Sequence, residues 1–463
     1  MNFLNGIKYL VIYFFITNIL SAQNTVNFAV IGDYGHAGAD LLAVSNLVKS
    51  WNPDFVITVG DNNYDVGSPY TIDQNIGQYF HEFIYPYYGV YGKGAAENRF
   101  FPSMGNCDWG TPGAVPYLDY FTLPGNERYY DFIKGPVHFF VLNTDTNETD
   151  GRDSSSLQAM WLKEKLKTSS SRYNVVYFHH APYCSGLYHG SDIEMRWPFK
   201  QWGASVVLSG HEHVYERLNI NGMTYFVNGL GGNLRSVILF PISGSQVRYT
   251  ANYGAMKVNA NNDSMVFRFI NIAGSQRDVF TLLPASKTLS LNVLLEGFYN
   301  EETGILTSDT VSVGLHGMNP PYTLIESKRG VLSNSGLVNL NFSNASNFTD
   351  YYINVNHRNC VETWSISGNK FILNNLNYDF TITDSSAFGR NLILKGNKYS
   401  IYSGDVNQDG IIDGSDLNLI DNDAVEFASG YISTDLNGDN FIDGSDISIA
   451  SNNAENFIIV ITP

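Results

Sequence analysis

The amino-acid sequence predicts a multidomain chain: an α/β domain, then an all-β immunoglobulin-like sandwich, then a small α domain. Three observations predict this order. From about residue 25 to 285, strand-like and helix-like apolar runs alternate. From about 288 to 400 the helical period disappears, and short alternating runs are separated by Asn, Ser and Gly turns. From about 401 onward a motif recurs with a period of 30 residues, at Asp405 and Asp435. The expected boundaries are 1–22, 23–286, 287–401 and 402–463.

The first 22 residues read as a signal peptide. One lysine precedes the apolar run Tyr9–Leu20, and Ser21-Ala22-Gln23 offers small residues for cleavage. The run is too short to span a bilayer, and no later stretch is apolar enough, so a secreted, extracellular or cell-surface protein without a transmembrane span is expected. The chain has 463 residues, 44% of them hydrophobic, which is ample for buried cores. Its net charge of −17 excludes nucleic acid and anionic membranes as general partners. Three cysteines are too few for a disulfide scaffold.

In the α/β region the strand candidates are VNFAVIG, DFVITVG, VHFFVLN, NVVYFHH, ASVVLSG and MTYFVNGL. LQAMWLKEKL carries Leu157, Trp161, Leu162 and Leu166 at helical spacing, and the serines at 154–156 supply N-cap chemistry. Several strands end in a glycine followed by a metal-ligand type of residue, or in histidines. These ends are Gly32-Asp33-Tyr34-Gly35, Gly60-Asp61-Asn62-Asn63-Tyr64, Gly105-Asn106-Cys107-Asp108, His179-His180 and Gly210-His211-Glu212-His213. Sites of α/β sheets lie at the carboxyl ends of strands, so these loops converge on one rim. Any one of these signals alone reads as a turn or a packed imidazole. Five in succession predict a metal site.

The series D-Y-G, G-D-N-N-Y, G-N-C-D, V-Y-F-H and G-H-E-H resembles the calcineurin-like metallophosphoesterases, and more narrowly the purple acid phosphatases, over roughly residues 25–285. The resemblance implies the four-layer α/β sandwich of that superfamily. Gly35 stands where the wider superfamily has a ligand histidine, and Tyr64 stands where the purple enzymes place a tyrosine instead. It further implies that Asp33, Tyr64 and His213 hold one metal, that Asp61 bridges, and that Asn106, His179 and His211 complete the second site. Carboxylate and phenolate favour Fe(III); imidazoles and an amide oxygen suit a divalent Fe, Zn or Mn. Such a pair of cations implies attack of a metal-bound hydroxide on a phosphoester, with no phospho-enzyme.

One departure bears on catalysis. The family has His where this chain has Cys107, near the substrate, and a thiol cannot serve as an imidazolium. Two alternatives follow: the proton comes from another histidine, with His189 matching one beside the family's site, or activity is weakened or confined to good leaving groups. His180 is expected to face substrate or to back the ligands, with His179 as the ligand. A Cys107–Cys184 disulfide is a further alternative. His81, His138, His316 and His357 fall in no motif and are read as structural.

The C-terminal repeat places oxygen ligands at loop positions one, three, five, seven, nine and twelve. They are Asp405, Asn407, Asp409, Ile411 (carbonyl), Asp413 and Asp416, then Asp435, Asn437, Asp439, Phe441 (carbonyl), Asp443 and Asp446. This is EF-hand-loop spacing for two Ca²⁺, with Gly410 and Asn440 at the sharp turn. Twelve Asp and Glu and no Lys or Arg follow Ile401. Asp at position twelve in two loop–helix units resembles type I dockerins, which implies a cohesin-like or cell-surface partner. The β region is expected to be a spacer or interaction module, with glycan binding as the alternative.

Together these readings predict a secreted binuclear-metal phosphatase acting on phosphomonoesters. The alternatives are a phosphodiesterase on the same site and a surface-assembly or binding protein with an impaired phosphatase domain.

Overall fold

The computed structural model describes residues 25–463; the expected signal peptide lies outside these residues. The chain divides into two compact units, one reaching Pro284 and the other covering Ala285–Pro463. Among the described residues no helix is long and apolar enough to cross a membrane.

The first unit is built on two sheets. In chain order its strands are β1 (Val26–Ile31), β2 (Phe55–Thr58), β3 (Phe100–Pro102), β4 (Tyr130–Lys134), β5 (Val137–Val141), β6 (Tyr173–His180) and β7 (Val206–Gly210). They continue as β8 (Tyr215–Ile220), β9 (Met223–Asn228), β10 (Ser245–Tyr249), β11 (Gly254–Ala260), β12 (Met265–Asn271) and β13 (Gln276–Leu282). One sheet has the order β13-β12-β11-β1-β2-β3, the other β10-β8-β9-β7-β6-β5-β4. The pairs β1–β2 and β2–β3 are parallel, as are β5–β6, β6–β7 and β7–β9. Parallel strands covered on both faces need continuous apolar sequence, and the runs in β2, β5, β7 and β9 are buried throughout. The predicted strands are all present. The three antiparallel strands of 254–282 extend the first sheet and were not singled out in the sequence, because their alternate burial gives a weaker signal.

Apolar side chains from the two sheets meet in one cluster, where Phe28 of β1 lies edge-on to Phe139 of β5 with centroids 5.2 Å apart. The helix Leu157–Thr168 buries Leu162 and Leu166 against Phe140, Val176 and Phe178 of the second sheet. Its N-cap is Ser156, whose side chain accepts from the Ala159 N–H at 3.2 Å. Leu157 is exposed rather than buried, since as the first helical residue it precedes the turn that faces the sheet.

In the second unit, Lys287–Asn292 pairs antiparallel with Leu337–Phe342 and parallel with Asn375–Asp379. A second sheet runs Leu324–Val331, Thr310–His316, Asp350–His357, Cys360–Trp364. Leu289, Leu291, Val313, Leu340 and Ile353 share one core between them. The repeat forms helices Gly414–Val425 and Gly444–Glu455. Each opens on a capping box, Asp413 with Asp416 and Asp443 with Asp446. Gly410 and Asn440 occupy the same loop position, with φ of 86° and 70°. The repeat was expected as a separate domain from 402, yet it lies in the same compact unit as the β region. Its own apolar cluster is small. Polar anchors join it to the β region: Asn453 Nδ2 donates to the Glu296 carboxylate at 2.6 Å, and Asn359 Nδ2 donates to the Asp435 carbonyl at 2.8 Å.

Candidate metal centre

Each candidate ligand of the first unit sits at or just beyond a strand end. Asp33 follows β1, Asp61 follows β2, Asn106 follows β3, His179 closes β6, and His211 and His213 follow β7. Asp33, Asp61 and His211 have φ of 55°, 52° and 68°, a left-handed backbone that L-residues adopt at a cost. That turn aims their side chains back across the strand ends. Gly60, with φ of 91°, is required by close approach, because a Cβ there would lie 2.4 Å from His179 Nδ1.

The seven groups gather into two adjoining sets. In one, Tyr64 Oη lies 3.4 Å from Asp33 Oδ1 and 3.3 Å from His213 Nε2, and His213 Nε2 lies 3.4 Å from Asp33 Oδ1. In the other, His179 Nε2 lies 3.3 Å from Asp61 Oδ1, 3.1 Å from Asn106 Oδ1 and 3.1 Å from His211 Nδ1. The sets adjoin at Asp33, Asp61 and His179, whose donor atoms all lie within 4.8 Å of one another in buried surroundings.

The hydrogen bonds behind these side chains show that the set suits cations. His179 Nδ1 donates to the Val59 carbonyl at 2.8 Å, and His213 Nδ1 to the Leu234 carbonyl at 2.5 Å. Each bond fixes a proton on Nδ1 and turns Nε2 inward, where it can bind a cation once its own proton is displaced. The His179 Nε2 faces a carboxylate oxygen and an amide oxygen, acceptors that a proton on Nε2 or a bound cation would reconcile. Burial, with Asp61 and Asp33 alongside, holds the Tyr64 phenol far above its ordinary range, so a phenolate there requires a neighbouring cation. Burial pulls the His213 imidazolium down, but the bond to Asp33 outweighs it and lifts the group to about 9. His211 is held far down by burial and by His179, His180 and His189 around it.

The other predicted residues surround this centre. The half-buried His180 has Nδ1 2.8 Å from Thr144 Oγ1, and its ring centroid lies 4.3 Å from that of His211. His189 is exposed and stacks on His211 with centroids 4.0 Å apart. Cys107 donates its backbone N–H to Asp61 Oδ1 at 2.9 Å, while burial and Asp61 push its thiol well up. The candidate Cys107–Cys184 disulfide is not formed, and all three cysteines are free. Cys184 instead packs with Phe178 and Trp197 and accepts the Gly186 N–H at 3.3 Å.

Three supporting groups escaped the sequence reading. Glu212, wholly buried between the two histidines of its motif, accepts N–H bonds from Tyr188 (3.2 Å), His189 (2.5 Å) and Gly190 (2.7 Å). Asp108 accepts the Gly105 N–H and the Asn62 side-chain amide, both at 2.8 Å, and so ties the loops of Asp61 and Asn106 together. Thr144 reaches His180 from beyond β5. Glu212 and Asp108 lie inside the motifs, a position that singles them out without showing their backbone partners; Thr144 has no sequence cue.

In the repeat, Asp405 and Asp435 are buried. Asp405 Oδ2 accepts the Gly410 N–H at 3.2 Å, whereas its Oδ1 is buried without a partner. Asp435 accepts Gly438 and Asn440 N–H bonds at 2.8 and 3.3 Å. Asn407, Asp409, Asn437 and Asp439 bond within their own loops. Backbone N–H groups of Ile411 and Phe441 donate to Asp409 and Asp439, and Asp413 and Asp443 cap the helices. Asp416 and Asp446 accept the N–H groups of Val406 and Leu436 at 2.9 and 2.8 Å. Among the described residues the repeat forms no group of three donor atoms as tight as that of Asp33, Asp61 and His179.

Residues 26–215 match the family model of the calcineurin-like phosphoesterases. Over 229 residues the chain is 25% identical to purple acid phosphatase 17 of Arabidopsis thaliana, covering 43% of this chain and 65% of that one. Over 145 residues it is 32% identical to purple acid phosphatase 23 of the same plant, covering 26% of this chain and 30% of that one. The chain thus spans less than two thirds of the length of these relatives. The solved structure of purple acid phosphatase PPD1 from yellow lupin (Lupinus luteus) seeds superposes with a TM-score of 0.47 at 16% identity, over 56% of this chain and 54% of that one.

Proposed function

We propose that this chain, with its calcineurin-like phosphoesterase region and purple acid phosphatase relatives, is a secreted binuclear-metal phosphomonoesterase. The observation that carries the reading is the gathering of seven ligand-type groups into two adjoining sets, with Nε2 of His179 and of His213 turned inward by a backbone carbonyl behind each ring. Asp33, Tyr64 and His213 would hold one cation, Asn106, His179 and His211 the other, and Asp61 would face both. The donor set favours Fe(III) beside a divalent Fe, Zn or Mn. When bound, the cations supply Lewis acidity, acidifying water and offsetting the charge of a phosphate.

The chain's own residues do the rest. His211 is kept neutral by burial and its imidazole neighbours, so it is available as a ligand. His189, exposed and stacked on His211, is placed to meet the leaving group and transfer a proton. Glu212 holds the backbone of that loop in place. Cys107 stays protonated and can donate only weakly, which favours esters with good leaving groups. Metal analysis with a visible spectrum, together with turnover of p-nitrophenyl phosphate and its bis ester, tests the reading. Iron with a phenolate charge-transfer band and a preference for the monoester are expected. Faster turnover of the bis ester would favour the phosphodiesterase reading; loaded metals without turnover of either would favour a binding protein.

For the C-terminal repeat we propose two Ca²⁺ sites, one in each loop. The unpartnered, buried Asp405 Oδ1 supports this reading. A cohesin-like partner would meet the repeat on its exposed surface, where Phe427 and Phe457 occupy equivalent positions after the two helices. Calorimetric titration of the full chain with Ca²⁺ tests the sites, and the absence of heat would refute them.

A further inference from the structure

The two loops of the repeat carry the same four carboxylates, at positions one, five, nine and twelve. Sequence alone therefore makes them equivalent. Their surroundings differ at the first position. Asp405 Oδ1 of the first loop is buried and has no partner, while Oδ2 accepts the Gly410 N–H at 3.2 Å and the Asp409 N–H also faces the carboxylate. Both oxygens of Asp435 in the second loop are occupied: Oδ1 by the Gly438 N–H at 2.8 Å, Oδ2 by the Asn440 N–H at 3.3 Å. Oδ2 also lies 3.7 Å from Arg358 Nη2.

Arg358 comes from the β region, not from the repeat, which contributes no Lys or Arg of its own. Its guanidinium is held from several sides. Nε donates to Asp309 Oδ2 at 3.1 Å and Nη1 donates to the Ile432 carbonyl. The group lies over Tyr431, 4.4 Å from the ring centroid, and over Phe298 at 5.4 Å. The cation is thus fixed beside the second loop and cannot swing away without breaking several contacts.

We infer that Arg358 makes the two loops unequal cation sites: the first loop, through Asp405, binds a divalent cation tightly, and the second, through Asp435, binds it weakly because a fixed guanidinium stands beside its leading carboxylate. This rests on the proposed calcium reading of the repeat. Affinity of such loops follows the net ligand charge and the rigidity of the site. A cation entering the second loop meets the repulsion of Arg358 and must compete for Asp435. A solvent-screened unit charge at a separation of this order corresponds to about a five- to tenfold difference in affinity.

The test is calorimetric titration of the full chain with Ca²⁺. Two classes of one ion each are expected, separated by at least fivefold. Asp405→Asn should abolish the tight class and Asp435→Asn the weak one. Arg358→Gln should tighten the weak class about five- to tenfold and leave the tight class in place. Because Arg358 also anchors the repeat, the two aspartate variants decide the assignment even if Arg358→Gln does not fold. Two equal classes, or loss of the tight class in Asp435→Asn, would overturn the inference. Absence of Ca²⁺ binding altogether would instead sink the calcium reading on which it rests.

Discussion

Replacing Glu212 tests whether a buried carboxylate holds the loop that brings His189 to the metal centre. Oε2 accepts two N–H bonds, from His189 and Gly190, and Oε1 accepts one from Tyr188. In Glu212→Gln the amide oxygen keeps the first two, but the amide nitrogen then faces the Tyr188 N–H, donor against donor. One unsatisfied donor costs about 1–3 kcal/mol. In Glu212→Ala all three donors lose their acceptor. Water reaches part of this exposed loop, and removal of a buried charge offsets some of the loss, so a net cost of about 2–4 kcal/mol is expected. With the loop loosened, His189 no longer stacks on His211, and kcat/KM should fall about ten- to hundredfold. Urea denaturation followed by tryptophan fluorescence gives the first quantity, and steady-state kinetics on p-nitrophenyl phosphate the second. If Glu212→Ala unfolds within about 0.5 kcal/mol of the parent and keeps its kcat/KM, the role assigned to this carboxylate is wrong.

Gly60→Ala should drive His179 off its carbonyl anchor, since the added Cβ would stand 2.4 Å from Nδ1; metal content by mass spectrometry should drop, and full occupancy would contradict the packing account. Cys107→His should raise turnover of alkyl phosphates about tenfold while changing aryl phosphates little, as expected for an added general acid; a uniform loss would show that the thiol is no handicap. His357 lies with Nδ1 2.9 Å from Asn359 Oδ1 and Nε2 3.1 Å from Asp309 Oδ2, so both nitrogens face acceptors. Burial pulls its imidazolium down, but Cys360 and Asp309 outweigh burial and lift it to about 9. A raised histidine stabilises the fold below its unfolded value of about 6.5, and that contribution is lost as pH rises through about 9. The second unit should therefore lose stability between pH 6.5 and 9 in thermal melts, and His357→Gln should flatten that slope; parallel profiles for parent and variant would refute the ion pair.

The gathering of the candidate ligands was legible because these residues are tied to strand ends, and apolar strands are the clearest feature of a sequence. The glycines at 32, 60, 105 and 210 marked where each strand stops and where backbone comes close. What the sequence could not supply was the direction of each ring. The ring orientations of His179 and His213 are fixed by carbonyls of Val59 and Leu234, and a carbonyl is the same in every residue. Glu212 was hidden for a related reason: its partners are backbone N–H groups, which no residue type advertises. In the second unit, the repeat was plain from its period. Its union with the β region was not, because single polar residues far apart in sequence, Glu296 with Asn453 and Arg358 with Asp435, make the join.

The ligands divide between the two sheets of the first unit: Asp33, Asp61 and Asn106 extend from β1, β2 and β3, whereas His179, His211 and His213 extend from β6 and β7. An ion pair bound there would act as a rivet through two plates. Any sliding of one sheet against the other, from a core substitution far below, would register as a change in the spacing of the ions. With cations bound as proposed, the centre would be a strain gauge for the whole unit, and its optical or magnetic signature should respond to mutations that never touch it.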